Sequence, residues 1–223
     1  SIMAFLNPKD FIITRKRKLY KFALFNNSSI CFEFDEWPKG ETTHNLEIGA
    51  GTGLFSEALA AQNPDKKFVA IDVKADRLVK GAQQAELDGL RNIRFLRARA
   101  DQLTHAFSAN SVKYLWVTFP DPYPKKRNAG RRLTHPTFLK LYQELLAEDG
   151  AFYFKTDAKE LFNWSLEQLV REGWRIQRLS FDLHESDLSE NYKVMTTYER
   201  RFVSEGLKIN FVKALPPKKD IEK

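Results

Sequence analysis

From Asn45 onward, short runs rich in β-branched and aromatic residues alternate with segments whose apolar residues recur at helical spacing. This alternation is typical of a parallel sheet flanked by helices, because each parallel strand needs a crossover connection before the next one. The sequence therefore predicts an α/β fold. Its first five strands are predicted at 45–49, 67–72, 92–97, 112–119 and 151–156.

Helical segments fall between these strands. One is predicted at 75–90, where the apolar pattern stops at Gly89, and another at 134–150. A further helix follows the fifth strand. Two β-rich runs then come without a helical pattern between them, and we predict that they form a terminal antiparallel pair at 174–183 and 194–206.

The length of 223 residues suits one large domain with a substantial core. We interpret residues 1–40 as an N-terminal extension of that domain, because they lack the strand and helix rhythm. Residues 45–212 form the predicted core. The polar, proline-containing end of the chain, 213–223, is predicted to be a flexible tail.

The charge balance favours an anionic partner, since 36 Lys and Arg residues exceed 29 Asp and Glu residues. Nucleic acid is the leading candidate, and a plain solvated basic surface is the alternative. Cys31 is the only cysteine, which excludes an intramolecular disulfide and a cysteine-based zinc site. No apolar run approaches the roughly 18 residues that a membrane span needs. We expect a cytoplasmic protein that uses neither membrane nor metal.

A glycine-rich turn, LEIGAGTG, ends the first strand and opens a helix. Gly49 and Gly51 let the backbone approach a ligand closely. The glycine spacing is one residue shorter than in a nicotinamide-binding fingerprint, and Glu47 precedes it, which favours a positively charged ligand. Asp72 ends the second strand, where an acid can accept both hydroxyls of a ribose. Together they predict an S-adenosylmethionine pocket; a turn without ligand, with Asp72 as a helix cap, is the alternative.

The stretch FPDPYPKKRNAGRRL places Asp121 between Pro120 and Pro122 at the end of the fourth strand. Both prolines restrict the backbone, so the carboxylate of Asp121 has little freedom. Ligands of open parallel sheets sit beyond the carboxyl ends of the strands, so we expect Asp121 over the site. The run that follows is either a solvated loop or a set of phosphate contacts from Lys125, Lys126, Arg127, Arg131 and Arg132.

These motifs resemble the signature of the bacterial tRNA (guanine-N7-)-methyltransferases over residues 45 to about 212. The loop matches their F-P-D-P-aromatic-P-K-K-R…R-R-[LI] pattern, with Tyr123 where Trp is usual, and TTYE at 196–199 matches their T-x-[YF]-E motif. The resemblance implies a Rossmann-like class I methyltransferase fold. Its mostly parallel seven-stranded sheet would have helices on both faces and an antiparallel C-terminal strand. It also implies methyl transfer from S-adenosylmethionine to N7 of the variable-loop guanosine, position 46, in tRNA.

The resemblance further implies roles for individual residues. Family members commonly have Asp-Ala near the adenine, where this chain has Arg99 and Ala100, with Asp101 one residue later. The implied cofactor-binding residues are Glu47, Gly49, Gly51, Asp72, Arg99, Ala100 and Asp121. The implied nucleoside contacts are Lys125, Asp157, Thr196, Thr197, Tyr198 and Glu199. The tRNA backbone would be contacted by Lys126, Arg127, Arg131 and Arg132.

Guanine N7 carries a lone pair and no proton, so its methylation needs no general base. None of the four histidines is adjacent to Asp121 in sequence, and no Ser-His or Cys-His pairing is evident. A carboxylate near the purine, Asp121 or Asp157, can stabilise the positive charge that develops on the ring. Asp121 is the predicted catalytic residue. A methyltransferase acting on an exocyclic amine and a non-catalytic RNA-binding protein remain alternatives, and either a monomer or a homodimer is compatible with the sequence.

Overall fold

The computed structural model describes residues 13–218, and their side chains from residue 18 onward. These residues build a mixed eight-stranded sheet: β1 (Cys31–Glu33), β2 (Glu41–Ile48), β3 (Phe68–Asp72), β4 (Ile93–Arg97), β5 (Phe107–Thr118), β6 (Leu146–Thr156), β7 (Arg175–Ser180) and β8 (Asn210–Leu215). The strand order is β1-β4-β3-β2-β5-β6-β8-β7. The first six strands pair in parallel, whereas β8 is antiparallel to β6 and β7. The predicted α/β class is confirmed.

Helices cover both faces of the sheet: α1 (Ile13–Asn27), α2 (Leu54–Gln62), α3 (Ala75–Leu87), α4 (Leu103–Ala106), α5 (Pro136–Leu145), α6 (Lys159–Arg171) and α7 (Thr197–Ser204). Alternate residues of β5 reach opposite faces, because side chains of a strand alternate. Leu115 packs in the core with α5 and α6, and Trp116 packs in the core with α1, α2 and α3. In the described part of the chain, no helix has the length and apolarity that crossing a membrane requires.

The two ends of the chain differ from their predicted roles. The N-terminal extension contributes β1, which pairs in parallel with β4 through Cys31 and Phe95, so the sheet has one strand more than the predicted seven. At the other end, residues 213–215 belong to β8, so the predicted flexible tail does not begin at 213. The remaining parts of both segments, 1–12 and 219–223, lie outside the described residues.

The predicted helix at 134–150 ends earlier, at Leu145, and β6 begins directly after it. Gly150 therefore lies inside a strand and does not end a helix. A Cβ atom there would stand 2.9 Å from the carbonyl oxygens of Ala147 and Lys113. Close approach of two backbone segments requires this glycine, and the sequence alone does not distinguish that requirement from a helix end.

The predicted strand at 194–206 is wrong, because most of it forms α7. The hydroxyl of Thr196 accepts a hydrogen bond from the Glu199 amide at 3.3 Å, and Gly206 follows the helix with φ of 83°. An N-cap threonine and a left-handed glycine outweigh the β propensity of the run Val-Met-Thr-Thr-Tyr. The strand that pairs with β7 is β8 instead.

The raised pKa of Glu57 on α2 predicts that the stability of the protein depends on pH. Burial raises its pKa from 4.5 to about 7, and a hydrogen bond with the Asp88 carboxylate acts in the same direction. The pKa of Asp88 is lowered by that same hydrogen bond and then by Gln84, so Glu57 carries the shared proton. At pH values between the unfolded-state pKa of 4.5 and the folded-state pKa of about 7, the folded state keeps a proton on Glu57 that the unfolded state has released. Stability contributed by this proton is therefore lost as pH rises toward about 7.

We expect Glu57→Gln to weaken this pH dependence. The free energy of unfolding of the parent should fall between about pH 4.5 and about pH 7 with a slope that includes up to about one proton, and that of the variant should fall less. The amide can still donate to Asp88. Urea unfolding at several pH values checks this, with the exposed Glu144→Gln as control. Identical slopes for Glu57→Gln and the parent would contradict the shared proton.

Candidate active site

A cleft of about 1210 Å³ lies at the carboxyl ends of β2, β3 and β5. Parallel strands bring their carboxyl ends to one edge of the sheet, which is where this fold binds ligands. The first residues of α7 form another part of the wall. Predicted site residues that line the cleft are Glu47, Gly49, Gly51, Asp72, Ala100, Asp121, Arg131, Thr196, Thr197, Tyr198 and Glu199.

The glycine turn between β2 and α2 runs in the left-handed region. Gly49, Gly51 and Gly53 have φ of 66°, 60° and 74°, which a residue with a side chain rarely adopts. A Cβ atom on Gly49 would also stand 2.6 Å from Cδ1 of Leu133. The turn therefore presents bare backbone to the cleft.

Asp72 is fixed at the end of β3. Its Oδ2 atom accepts a hydrogen bond from the Gly51 amide at 2.8 Å, and its Oδ1 atom accepts one from the Lys74 amide at 2.9 Å. Each carboxylate oxygen has a second lone pair that these bonds leave available. Asp72 thus ties the glycine turn to β3 and keeps acceptor capacity toward the cleft.

Glu47 lines the base of the cleft, although it has no exposed surface. Its two oxygens accept hydrogen bonds from Ser56 at 2.7 Å and Thr118 at 2.6 Å. Burial raises the pKa of Glu47 to about 7, although both hydroxyl bonds and the charge of Lys155 lower it. Both oxygens of Glu47 are engaged with hydroxyl groups of the protein, and its predicted role in binding the cofactor stays a prediction.

Asp121 is exposed at the cleft, in a loop bracketed by two strained residues. Phe119 and Tyr123 have φ of 47° and 43°, values that are uncommon for aromatic residues. Such conformations cost on the order of 1–3 kcal/mol each and persist only where surrounding contacts hold them. The Phe119 amide donates to the carbonyl of Lys155 at 2.9 Å, which anchors the start of the loop to β6.

Arg132 anchors the end of the loop. Its Nε and Nη2 atoms donate to the carbonyl of Tyr123 at 3.1 and 2.8 Å. Its guanidinium lies 4.6 Å from the ring centroid of Trp164, and the residue is only 8% exposed. Arg132 holds the strained loop that carries Asp121. Its predicted phosphate contact stays a prediction.

The other predicted basic residues remain available to a partner. Lys126 and Arg127 begin a short 3-10 helix that ends at Arg131, and all three are exposed, as is Lys125 before it. Among the described residues, none of these four forms an ion pair within 4.0 Å. Arg131 also lines the cleft. The loop therefore presents a cluster of positive charge beside Asp121.

Three residues predicted to contact the cofactor or the nucleoside do not line the cleft: Arg99, Lys125 and Asp157. Arg99 is exposed and pairs with Asp101 at 3.0 Å, while only its neighbour Ala100 lines the cleft. Asp157 follows β6 and lines a second cavity of about 860 Å³, together with Asn163 and Lys208. The structure thus does not bring Asp157 into the cleft that contains Asp121.

The TTYE motif opens α7, and its members point in different directions. Thr196 caps the helix, whereas Tyr198 is 56% exposed and its ring lies 6.1 Å from that of Phe119. Glu199 is 1% exposed, and its carboxylate bonds to Lys155 and His184. Both oxygens of Glu199 are thus engaged within the protein, and its predicted contact with a nucleoside stays a prediction.

Sequence reasoning missed Lys155 and the structural role of Arg132. Lys155 interrupts the apolar run AFYFKT of β6, and a charge within a buried strand was the available signal. Arg132 gave no separate signal beside Arg131. None of the four histidines, all within the described residues, lines the cleft. In the same part of the chain, no group of three His, Cys, Asp or Glu side chains could hold a metal ion.

A parallel sheet with a glycine turn after β2, an acid ending β3 and an acidic loop after β5 defines a class I methyltransferase fold. Solved structures agree with this assignment. The 16S rRNA methyltransferase KamB superposes with a TM-score of 0.59 at 19% identity, covering 78% of this chain and 88% of that chain. The 16S rRNA (adenine(1408)-N(1))-methyltransferase from Catenulisporales acidiphilia superposes with a TM-score of 0.57 at 11% identity, covering 91% and 94%.

Sequence comparison gives the family. A family described as "Putative methyltransferase" matches residues 41–212. The tRNA (guanine-N(7)-)-methyltransferase of Brevibacillus brevis is 39% identical over 170 residues, 76% of this chain and 79% of that protein. The enzyme of the same name from Streptococcus agalactiae is 35% identical over 208 residues, 90% and 98%. This chain belongs to the tRNA (guanine-N(7)-)-methyltransferase family, which confirms the resemblance found in the sequence.

We expect Arg132→Lys to loosen the loop that carries Asp121. Lysine keeps the charge but cannot donate two bonds from a planar group while stacking on Trp164. Amide hydrogen exchange should become faster in peptides covering 119–124, with about 1–3 kcal/mol of stability lost. The exposed Arg131→Lys is the matched control and should leave both quantities unchanged. Equal exchange in the two variants would contradict the anchoring role.

Proposed function

We propose that this protein transfers a methyl group from S-adenosylmethionine to N7 of guanine in tRNA, at the variable-loop guanosine. The observation that carries this proposal is the placement of Asp121. Its carboxylate is held at the mouth of a cleft that also contains the glycine turn and Asp72, and the exposed basic loop is directly attached to it.

The cleft residues fit S-adenosylmethionine. Bare backbone at Gly49 and Gly51 permits close approach, and Asp72 has acceptor capacity for ribose hydroxyls. Ala100 supplies an apolar patch in the same wall. Once bound, the cofactor supplies a methyl group activated by its sulfonium. Arg99 is exposed and pairs with Asp101, and its predicted contact with the cofactor stays a prediction.

Asp121 performs its task by position and charge. Methylation at N7 makes the guanine cationic, and a fixed carboxylate nearby stabilises that developing charge. The same carboxylate can accept from N1–H and the exocyclic amine, which adenine does not present in the same way. No proton has to be removed from N7, which accords with a cleft whose described lining lacks histidine.

The tRNA is held mainly by charge. Lys126, Arg127 and Arg131 are exposed and suited to phosphate contacts, and Lys125 precedes them next to Asp121. Thr196, Thr197 and Tyr198 line the cleft at the start of α7, where the exposed ring of Tyr198 can stack on a base.

A tRNA transcript that contains 7-deazaguanosine tests the proposed function. This nucleoside keeps N1–H and the exocyclic amine but has C–H in place of N7. With S-adenosylmethionine carrying a labelled methyl group, we expect incorporation into the ordinary transcript and none into the substituted one. Equal incorporation into both would indicate an exocyclic amine as acceptor. Binding of both transcripts without any incorporation would indicate a non-catalytic RNA-binding protein.

We expect Asp121→Asn to keep the fold and the cofactor affinity while lowering kcat/KM. The loss of transition-state stabilisation should be roughly 2–4 kcal/mol, the scale of one electrostatic contact in a desolvated site. Residual activity should remain, because Asp121 removes no proton. Single-turnover rates at saturating S-adenosylmethionine measure this, and calorimetry checks cofactor affinity. A variant as fast as the parent would remove Asp121 from the catalytic role.

We expect the double variant Lys126→Ala/Arg131→Ala to weaken tRNA binding and lower its salt dependence, because each lost phosphate contact reduces counterion release. The slope of log K against log salt should become shallower by about 1–2. The matched control is Lys140→Ala/Arg171→Ala, which removes two exposed cations from α5 and α6. Filter binding over a salt series makes the comparison, and unchanged slopes in both variants would show that the loop does not contact phosphates.

A further inference from the structure

Lys155 is a fully buried charge that the proposed chemistry does not use. It lies on β6 with 0% exposure. Its Nζ atom bonds to the Glu199 carboxylate at 2.6 Å and donates to the carbonyl oxygens of Val194 and Tyr192 at 2.9 and 3.4 Å. An ammonium group is costly to bury unless it is paired and hydrogen-bonded, and these three contacts meet that requirement.

Glu199 extends this contact to another element. Its second oxygen, Oε2, lies 2.6 Å from Nε2 of His184. His184 belongs to the short 3-10 turn Leu183–Glu185, and Glu199 lies in the first turn of α7. The buried carboxylate therefore joins β6, this turn and α7, which are separate in sequence.

Lys155 also touches the two other parts of the cleft. Its backbone carbonyl accepts from the amide of Phe119, the first strained residue of the Asp121 loop. Its Nζ atom lies 4.5 Å from the ring centroid of Phe55, on the helix that follows the glycine turn. Lys155 thus contacts the loop that carries Asp121 and the helix that follows the glycine turn. Through Glu199 it also contacts the first turn of α7, which forms a wall of the cleft.

We propose that Lys155 is a positioning residue for methyl transfer, which holds the α7 wall against the Asp121 loop through Glu199 and His184. This inference rests on the proposed function. Glu199 thereby acts on the target nucleoside indirectly: it fixes Thr196, Thr197 and Tyr198, and these three residues line the cleft. The carboxylate does not itself meet the base.

The double variant Lys155→Met/Glu199→Gln tests this role. It removes both buried charges together, which folded proteins tolerate better than the loss of one partner. We expect a folded protein whose affinity for S-adenosylmethionine changes by less than about threefold, while kcat/KM for tRNA falls by about tenfold or more. Hydrogen exchange should become faster in peptides covering 192–204. The matched control is Lys213→Met, a partly exposed lysine on β8, the strand paired with β6.

His184 provides a second test that does not depend on that variant folding. His184→Gln can keep a hydrogen bond to Glu199, whereas His184→Ala cannot. We expect exchange at 192–204 and kcat/KM near parent values in the first, and faster exchange with a severalfold lower kcat/KM in the second. Unchanged kcat/KM and exchange in the folded double variant, or in His184→Ala, would overturn the proposal.

Hydrogen exchange distinguishes a failure of the proposed function from a failure of the positioning role. If the parent methylates no tRNA, the proposed function fails. Loosening of α7 in the variants would then still establish that Lys155 positions this wall. If the parent is active and the folded variants match it, the positioning role fails and the proposed function stands.

Discussion

The parallel pairing of β2 with β3 and β5 is the constraint on which the site depends. This pairing places the ends of three strands at one edge of the sheet, and the glycine turn, Asp72 and the Asp121 loop follow those ends. Residues far apart in sequence therefore meet because the ends of these strands are adjacent. The cleft is a consequence of strand order, and its chemistry depends on which residues end each strand.

Rigidity at the cleft comes from buried polar groups beneath it. Glu47 is bonded to hydroxyls on α2 and β5, and Lys155 is bonded to Glu199 on α7. Arg132 holds the Asp121 loop through two hydrogen bonds to the carbonyl of Tyr123. Each group is nearly or fully enclosed, so each is costly unless paired, and the pairing fixes one arrangement of the walls. Fixed walls suit a reaction that gains mainly from positioning.

The local sequence was sufficient to predict the role of a residue where local geometry determines that role. The glycine spacing, Asp72 and the Pro-Asp-Pro segment each lie in the predicted place. It was insufficient where a role depends on a distant partner. In the sequence, Arg132 cannot be distinguished from Arg131, because its hydrogen bonds to the carbonyl of Tyr123 are visible only in the structure. In the sequence, Glu199 is a motif residue without an evident partner. The structure shows that it is buried and paired with Lys155 on β6. The helix α7 was mistaken for a strand because β-branched residues obscured its threonine cap.

Methylation of guanine N7 in tRNA is the activity that this cleft should perform. It is tested most directly by mass spectrometry of the nucleosides released from unmodified tRNA after incubation with the protein and S-adenosylmethionine. The account predicts that 7-methylguanosine accumulates and that other methylated nucleosides do not. Formation of a guanosine or adenosine methylated on its exocyclic amine, or of no methylated nucleoside at all, would contradict it.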